Sequence, residues 1–272
     1  MIRESLYFTF AGIKSTEFGI WNVSISDGLY SEPFMASRSI NEVKIRGRDK
    51  PYPFEVNKEP LSFQLSFLFS EGWDDELISK VQSWLDVDFY QPLSFSENLI
   101  KVYYAMPVDT SELTHNGIKQ GYITLTMRCD SPYSYSRDIV SPWYKSVHIN
   151  GGSFITPYLW SDNETKYDKS LEIINKGDKD ILLEIFIEKN GDGDITVINT
   201  SRANSVMKFT SLLDGEKIHI DGENQIIESN LPNIWRYDDF NDFYLPLYKG
   251  KNVIQVEGDC LIKFQYRYKF IS

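Results

Sequence analysis

The sequence predicts a mainly β protein in two domains. The first is an N-terminal β-sandwich or barrel-like domain with one α-helix and an extended hairpin arm. The second is a C-terminal β-sandwich of jelly-roll type. Three observations lead there. Apolar and polar residues alternate with period two through most of the chain, as in half-buried antiparallel strands. Only one segment has the spacing of a strongly amphipathic helix. Glycine-containing turn signals recur at short intervals in the second half, the pattern of an all-β sandwich. The 272 residues, 42% of them hydrophobic, are enough for two domains with their own cores.

Taken along the chain, the stretch Asn22–Glu59 has few helix signals and ends in the mixed-charge segment Lys44–Lys50. It suits a hairpin arm that crosses a neighbouring subunit and adds strands or salt bridges at its sheet edge. Leu61, Phe63, Leu65, Phe67 and Phe69 then alternate with Ser62, Gln64 and Ser66, which predicts a strand. The helix is predicted from about Asp74 to Leu85. Leu77, Ile78, Val81, Trp84 and Leu85 fall on one face, and Asp74, Asp75 and Glu76 stand in the first turn, where the helix dipole favours negative charge. Ile123, Leu125, Met127 and Cys129 form the apolar side of another strand. Between about Ser131 and Gly152 the chain is rich in Ser, Pro, Tyr and Gly and the periodicity lapses, which places a boundary near residue 139 and domains at 1–139 and 140–272. The run Ile181–Ile187 is almost uniformly apolar and predicts a central strand. Cys260, Ile262, Phe264, Tyr266, Tyr268 and Phe270 alternate with polar residues to the end. Turn signals include Asp27-Gly28, Asn116-Gly117, Asn150-Gly151, Asp214-Gly215 and Asp221-Gly222.

The formal charge of −11 is spread over both halves, and no basic face for nucleic acid is legible. The local basic run Lys44, Arg46, Arg48 and Lys50 reads as a solvated strand-and-turn or as an inter-subunit contact. Two cysteines are too few for a disulfide framework, and each lies on the apolar side of a strand, so two separate buried thiols are expected ahead of the alternative, one bridge between distant segments. No signal peptide or membrane-spanning run is recognisable, and a soluble protein made in a cytoplasm is expected. The three histidines lack metal-ligand spacing. Neither a serine elbow nor a phosphate-cradling glycine loop occurs. Asn190-Gly-Asp-Gly-Asp194 lacks the terminal Glu and flanking helices of a calcium loop, and strands on either side predict a hairpin turn. No catalytic residues, cofactor or metal are expected, and the chain does not read as an enzyme. One cluster, Trp235, Tyr237, Phe240 and Tyr244, mixes aromatic rings with acids. It reads either as a loop sealing one end of the sandwich or as a platform for a glycan.

The order of several short motifs resembles the distal tail protein family of siphoviruses. Phe10-Ala-Gly-Ile-Lys-Ser-Thr-Glu-Phe-Gly-Ile20 is similar to the family's opening F-x-G-x-x-S-x-x-F-G. Ile45-Arg-Gly-Arg48-Asp is similar to its G-R-D-G, with Lys50 in place of the last glycine. Ser83-Trp-Leu85, Tyr103-Tyr-Ala105 and Cys129-Asp-Ser-Pro-Tyr133 follow in the family's order, and the turns after Asn175 and Tyr248 continue it. The resemblance spans nearly the whole chain and implies a ring-forming N-terminal domain and a galectin-like C-terminal β-sandwich. It implies a hexameric ring at the tail tip, single or as two rings back to back, made in the host cytoplasm and carried in the virion of a phage or prophage. The implied partners are the tail tube protein and a tail-associated fibre or lysin protein. DNA would pass a central channel without specific binding, and no membrane would be involved. A carbohydrate-binding module for host cell-wall glycans is the alternative.

Overall fold

Alternation at period two leaves each strand with one wet and one dry face, and the sheets form by joining dry faces in register. A computed structural model describes residues 5–23, 32–149, 152–158, 168–202 and 205–271. The turns expected at Asp27-Gly28 and Asn150-Gly151 lie outside them. The chain divides into two units, residues 1–137 with 270–272, and residues 138–269.

The first unit is built on one antiparallel sheet. Its order is Ile13–Lys14, Phe8–Phe10, Gln91–Phe95, Asn98–His115, Gly121–Cys129, Ser62–Phe69 and Ile20–Asn22, with Tyr133–Tyr135 also pairing to Asn98–His115. The expected strand at 61–69 appears as Ser62–Phe69. Phe63 stands opposite Met127, Leu65 opposite Leu125 and Phe67 opposite Ile123, so directly paired residues share the core face. Helix α1, Asp75–Leu85, starts at Asp74, whose carboxylate accepts from the backbone N–H of Leu77 at 2.7 Å. It lays Val81 and Trp84 on the sheet. The Trp84 ring stacks on Phe8 at 5.7 Å, meets Phe18 at 4.8 Å, and donates its indole N–H to the Phe10 carbonyl at 3.0 Å. That hydrogen bond satisfies the one polar atom the indole carries into the core. Arg38–Val43 and Tyr52–Lys58 stand apart as a two-stranded hairpin, the extended arm.

The second unit is a β-sandwich. One sheet runs Gly152–Pro157, Tyr144–Ile149, Cys260–Tyr266, Glu184–Lys189, Lys217–Asp221 and Ile226–Ser229. The other runs Leu171–Asn175, Gly250–Glu257, Gly193–Asn199 and Ser205–Leu212. Ile185, Ile187, Ile262 and Phe264 from one sheet and Val197, Met207, Phe209 and Ile254 from the other join in one core. Cys129 and Cys260 are buried and unbonded, as expected. Two expectations are corrected. The run Ile181–Ile187 is two strands: Glu184–Lys189 is central, but Ile181–Leu182 pairs with Pro246–Leu247 in a separate ribbon. The turn at Asn190–Asp194 is not a hairpin, since the strands it joins lie in different sheets and the loop carries the chain across the core. Carboxylates brace it instead, with Asp214 accepting from the Gly191 N–H and Asp192 from the Asp214 N–H at 2.8 Å. Alternation alone does not say which sheet a strand joins.

Candidate functional site

The arm presents two unlike faces. Register places Ile40 opposite Val56 and Val43 opposite Tyr52, with a bulge between Asn41 and Glu42. Residues two apart share a face, so Ile40, Phe54 and Val56 line one side, while Val43, three residues from Ile40, stands with Tyr52 on the opposite one. Ser39, Asn41, Glu55 and Asn57 share that opposite side. The apolar side is open to solvent, with Phe54 69% and Ile40 59% exposed. Such a row of exposed apolar side chains on a lone hairpin is unfavourable in water and is the mark of a surface that meets another. The basic residues Lys44, Arg46, Arg48 and Lys50 are all exposed at the tip, between the two strands. Arg48 lies over the Tyr52 ring at 4.0 Å. At the base, Lys58 donates to the Tyr133 hydroxyl at 2.9 Å. The charged tip was legible from sequence. The apolar face was missed, although Phe54 and Val56 carry its period-two signal.

The outer face of the sandwich carries a second constellation that no motif announced. Phe186 pairs with Lys263 on one side and His219 on the other, and His219 pairs with Glu228. These side chains form one row across four strands, and Trp143 stands beyond Lys263. The Lys263 ammonium lies 4.1 Å from the Phe186 ring centre and 5.1 Å from that of Trp143. The other face of Phe186 stacks on the His219 imidazole at 4.6 Å. His219 Nε2 meets Glu184 at 2.8 Å and Nδ1 meets Glu228 at 3.1 Å. Burial, the largest single influence on the imidazole, lowers its pKa. The hydrogen bonds to Glu228 and Glu184 together outweigh it, so His219 titrates above its ordinary value.

The four aromatic residues singled out near the C-terminus do not form an open platform. Phe240 is buried and stacks on Phe209 at 4.7 Å. Tyr244 meets Phe240 edge-on at 5.0 Å and donates its hydroxyl to the Gln225 carbonyl at 2.9 Å. The Tyr237 hydroxyl accepts from the Ile227 N–H at 3.0 Å. Only Trp235 projects freely, 77% exposed. The loop is fastened by Arg236, which donates Nε to one oxygen of the fully buried Glu216 carboxylate at 2.8 Å and Nη2 to the other at 2.6 Å. Among the described residues, no group of three or more His, Cys, Asp and Glu side chains is arranged to hold a metal ion.

Known proteins match this chain over both units. Residues 3–131 match the model of a phage tail protein N-terminal domain, and residues 160–266 that of a phage tail C-terminal domain. The SPbeta prophage-derived protein YomH of Bacillus subtilis strain 168 is 38% identical over 271 residues, covering the whole of both chains. Among solved structures, the Dit protein of phage SPP1 superposes with a TM-score of 0.67 at 12% identity, over 96% of this chain and 98% of that one. Its description is a paradigm of the hub adsorption apparatus in phages that infect Gram-positive bacteria. At that identity the likeness is one of fold, and it extends over both the helix-bearing sheet and the sandwich. A chain of the phage P2 baseplate in its activated conformation with calcium matches with a TM-score of 0.49 at 9% identity, over 95% of this chain and 97% of that one. By its whole-length relative and its two matched domains, the chain belongs to the phage tail protein family.

Proposed function

We propose that this protein is the distal tail subunit of a siphovirus-type tail, a structural hub that closes into a hexameric ring around a DNA channel, between the tail tube and the adsorption apparatus. One observation carries the reading: a solitary hairpin arm with five exposed apolar side chains, Ile40, Phe54 and Val56 of them on one face, and four cations at its tip. An arm that lands on a neighbour makes a heterologous contact, and a heterologous contact closes into a ring when its rotation divides a full circle. Burying side chains the size of Phe54, Ile40 and Val56 contributes about 1.5–3 kcal/mol each to such a contact. The shared fold with a hub protein of the SPP1 adsorption apparatus supports the same role. The ring-forming part is assigned to residues 1–139, with Lys44, Arg46, Arg48 and Lys50 at the inter-subunit contact, and the sandwich to residues 140–272. The net charge of −11 suits a channel that DNA slides through without sticking.

Electron microscopy and light scattering on the purified full chain test the proposal. A six-fold ring is the expected result. Ile40→Lys with Phe54→Lys should leave the subunit folded, since both side chains are solvent-exposed, and should abolish the ring. Arg46→Glu with Arg48→Glu should weaken it. A strictly monomeric protein at high concentration, or a ring indifferent to the arm substitutions, is the refuting result.

A further inference from the structure

We propose that the groove on the outer face of the C-terminal sandwich, walled by Trp143 and floored by Phe186, Glu188, Lys217, His219 and Glu228, binds a neutral saccharide. This does not rest on the hub reading. The groove has a volume of about 400 Å³, the room that one or two sugar rings need. It is drawn from four separate segments of the same unit and shares no residue with the Trp235 loop.

The chemistry of the lining suits a polyhydroxylated, uncharged ligand. The carboxylates of Glu228 and Glu188 accept hydrogen bonds from hydroxyls. Lys217 is a donor beside them, its ammonium 3.3 Å from Glu188. Asn230, which also lines the groove, gives its side-chain oxygen to the Lys217 backbone N–H at 2.8 Å, which leaves the amide nitrogen as a donor. The Trp143 ring supplies apolar surface for the C–H side of a sugar. The groups are also held in place before any ligand arrives. Glu228 is bound to His219, His219 to Glu184, and the imidazole is stacked on Phe186, whose far face is occupied by Lys263. A preorganised site loses less side-chain freedom on binding. Charge sets the class of ligand. The carboxylates Glu184, Glu188 and Glu228 are nearly balanced by Lys217, Lys263 and the imidazole, so the lining offers a phosphate-rich polymer no net attraction, whereas an uncharged sugar needs none.

The test is isothermal titration of the full-length protein with lactose, with an N-acetylglucosamine trimer and with poly(glycerol phosphate). Saturable binding of at least one neutral sugar is expected, weakened about tenfold or more by Trp143→Ala and by Glu228→Gln and unchanged by Trp235→Ala. Circular dichroism checks that each variant is folded. Glu228 is solvent-exposed, so its variant remains informative if Trp143→Ala does not fold. Three results overturn the proposal: no binding of either neutral sugar up to about 10 mM, binding of poly(glycerol phosphate) alone, or sugar binding that Trp235→Ala removes and Glu228→Gln leaves intact.

Discussion

Replacing Arg236 by Met should destabilise the C-terminal unit by about 3–5 kcal/mol at pH 7, the usual cost of stranding one member of a buried ion pair. The structure shows why the figure belongs at that scale. The Glu216 carboxylate is fully buried and accepts four hydrogen bonds: two from Arg236, one from the Ser229 hydroxyl at 2.7 Å and one from the Leu213 N–H at 3.1 Å. The substitution removes the two charge-assisted bonds, each contributing about 1.5–3 kcal/mol, and leaves a carboxylate with neutral donors only. Urea unfolding followed by circular dichroism reads the effect. With a slope of about 2 kcal/mol per molar, the midpoint should fall by about 2 M. The pH dependence identifies the mechanism. In the native protein, burial alone raises the Glu216 pKa, but Arg236, Ser229 and Leu213 outweigh it and hold it below the ordinary carboxylate value. Its stabilising contribution is therefore present above the unfolded pKa and lost as pH falls through the depressed folded value. In the variant, burial dominates and the carboxylate gains from protonation, so the gap to the native protein should narrow from pH 7 to pH 5. Adding Glu216→Leu should recover much of the loss. A loss below about 1 kcal/mol, or a double variant no more stable than the single one, would refute the assignment of a desolvated ion pair.

The His219 imidazole, whose pKa is raised by its two glutamates, should titrate above the ordinary histidine value by NMR. The stability it contributes is complete below its unfolded pKa and is lost as pH rises through the folded one, so Glu228→Gln should lower the pKa and shift that loss to lower pH. Burial pushes both thiols up to about 12, so Cys129 and Cys260 should resist thiol reagents until the chain is unfolded, and rapid native labelling of either would contradict their placement. Trp84→Ala should cost the first unit about 3–5 kcal/mol by opening a cavity among Phe8, Phe10 and Phe18, whereas Trp235→Ala should leave the melting temperature nearly unchanged because that ring is exposed.

Local periodicity determined most of the secondary structure of this protein. The strand at Ser62–Phe69, the helix from its Asp74 cap to Leu85 and the buried sides of Cys129 and Cys260 all follow from spacings of two or of three and four within a short stretch of chain. The basic tip of the arm was legible for the same reason, as four cations within seven residues. What periodicity leaves open is partnership. It did not show that Ile181–Leu182 leaves its sheet, or that the turn at Asn190 joins two sheets rather than two neighbours, because strand pairing is a long-range choice decided by which dry faces pack. It did not separate Phe240, which is core, from Trp235, which is solvent-exposed, although both are rings in one loop. The row of Trp143, Lys263, Phe186, His219 and Glu228 comes from five segments spread over more than a hundred residues, and no local pattern links them. Only the antiparallel register of the folded sheet sets an imidazole between two carboxylates and a lysine between two rings, since cross-strand neighbours are chosen by the fold and not by their distance along the chain.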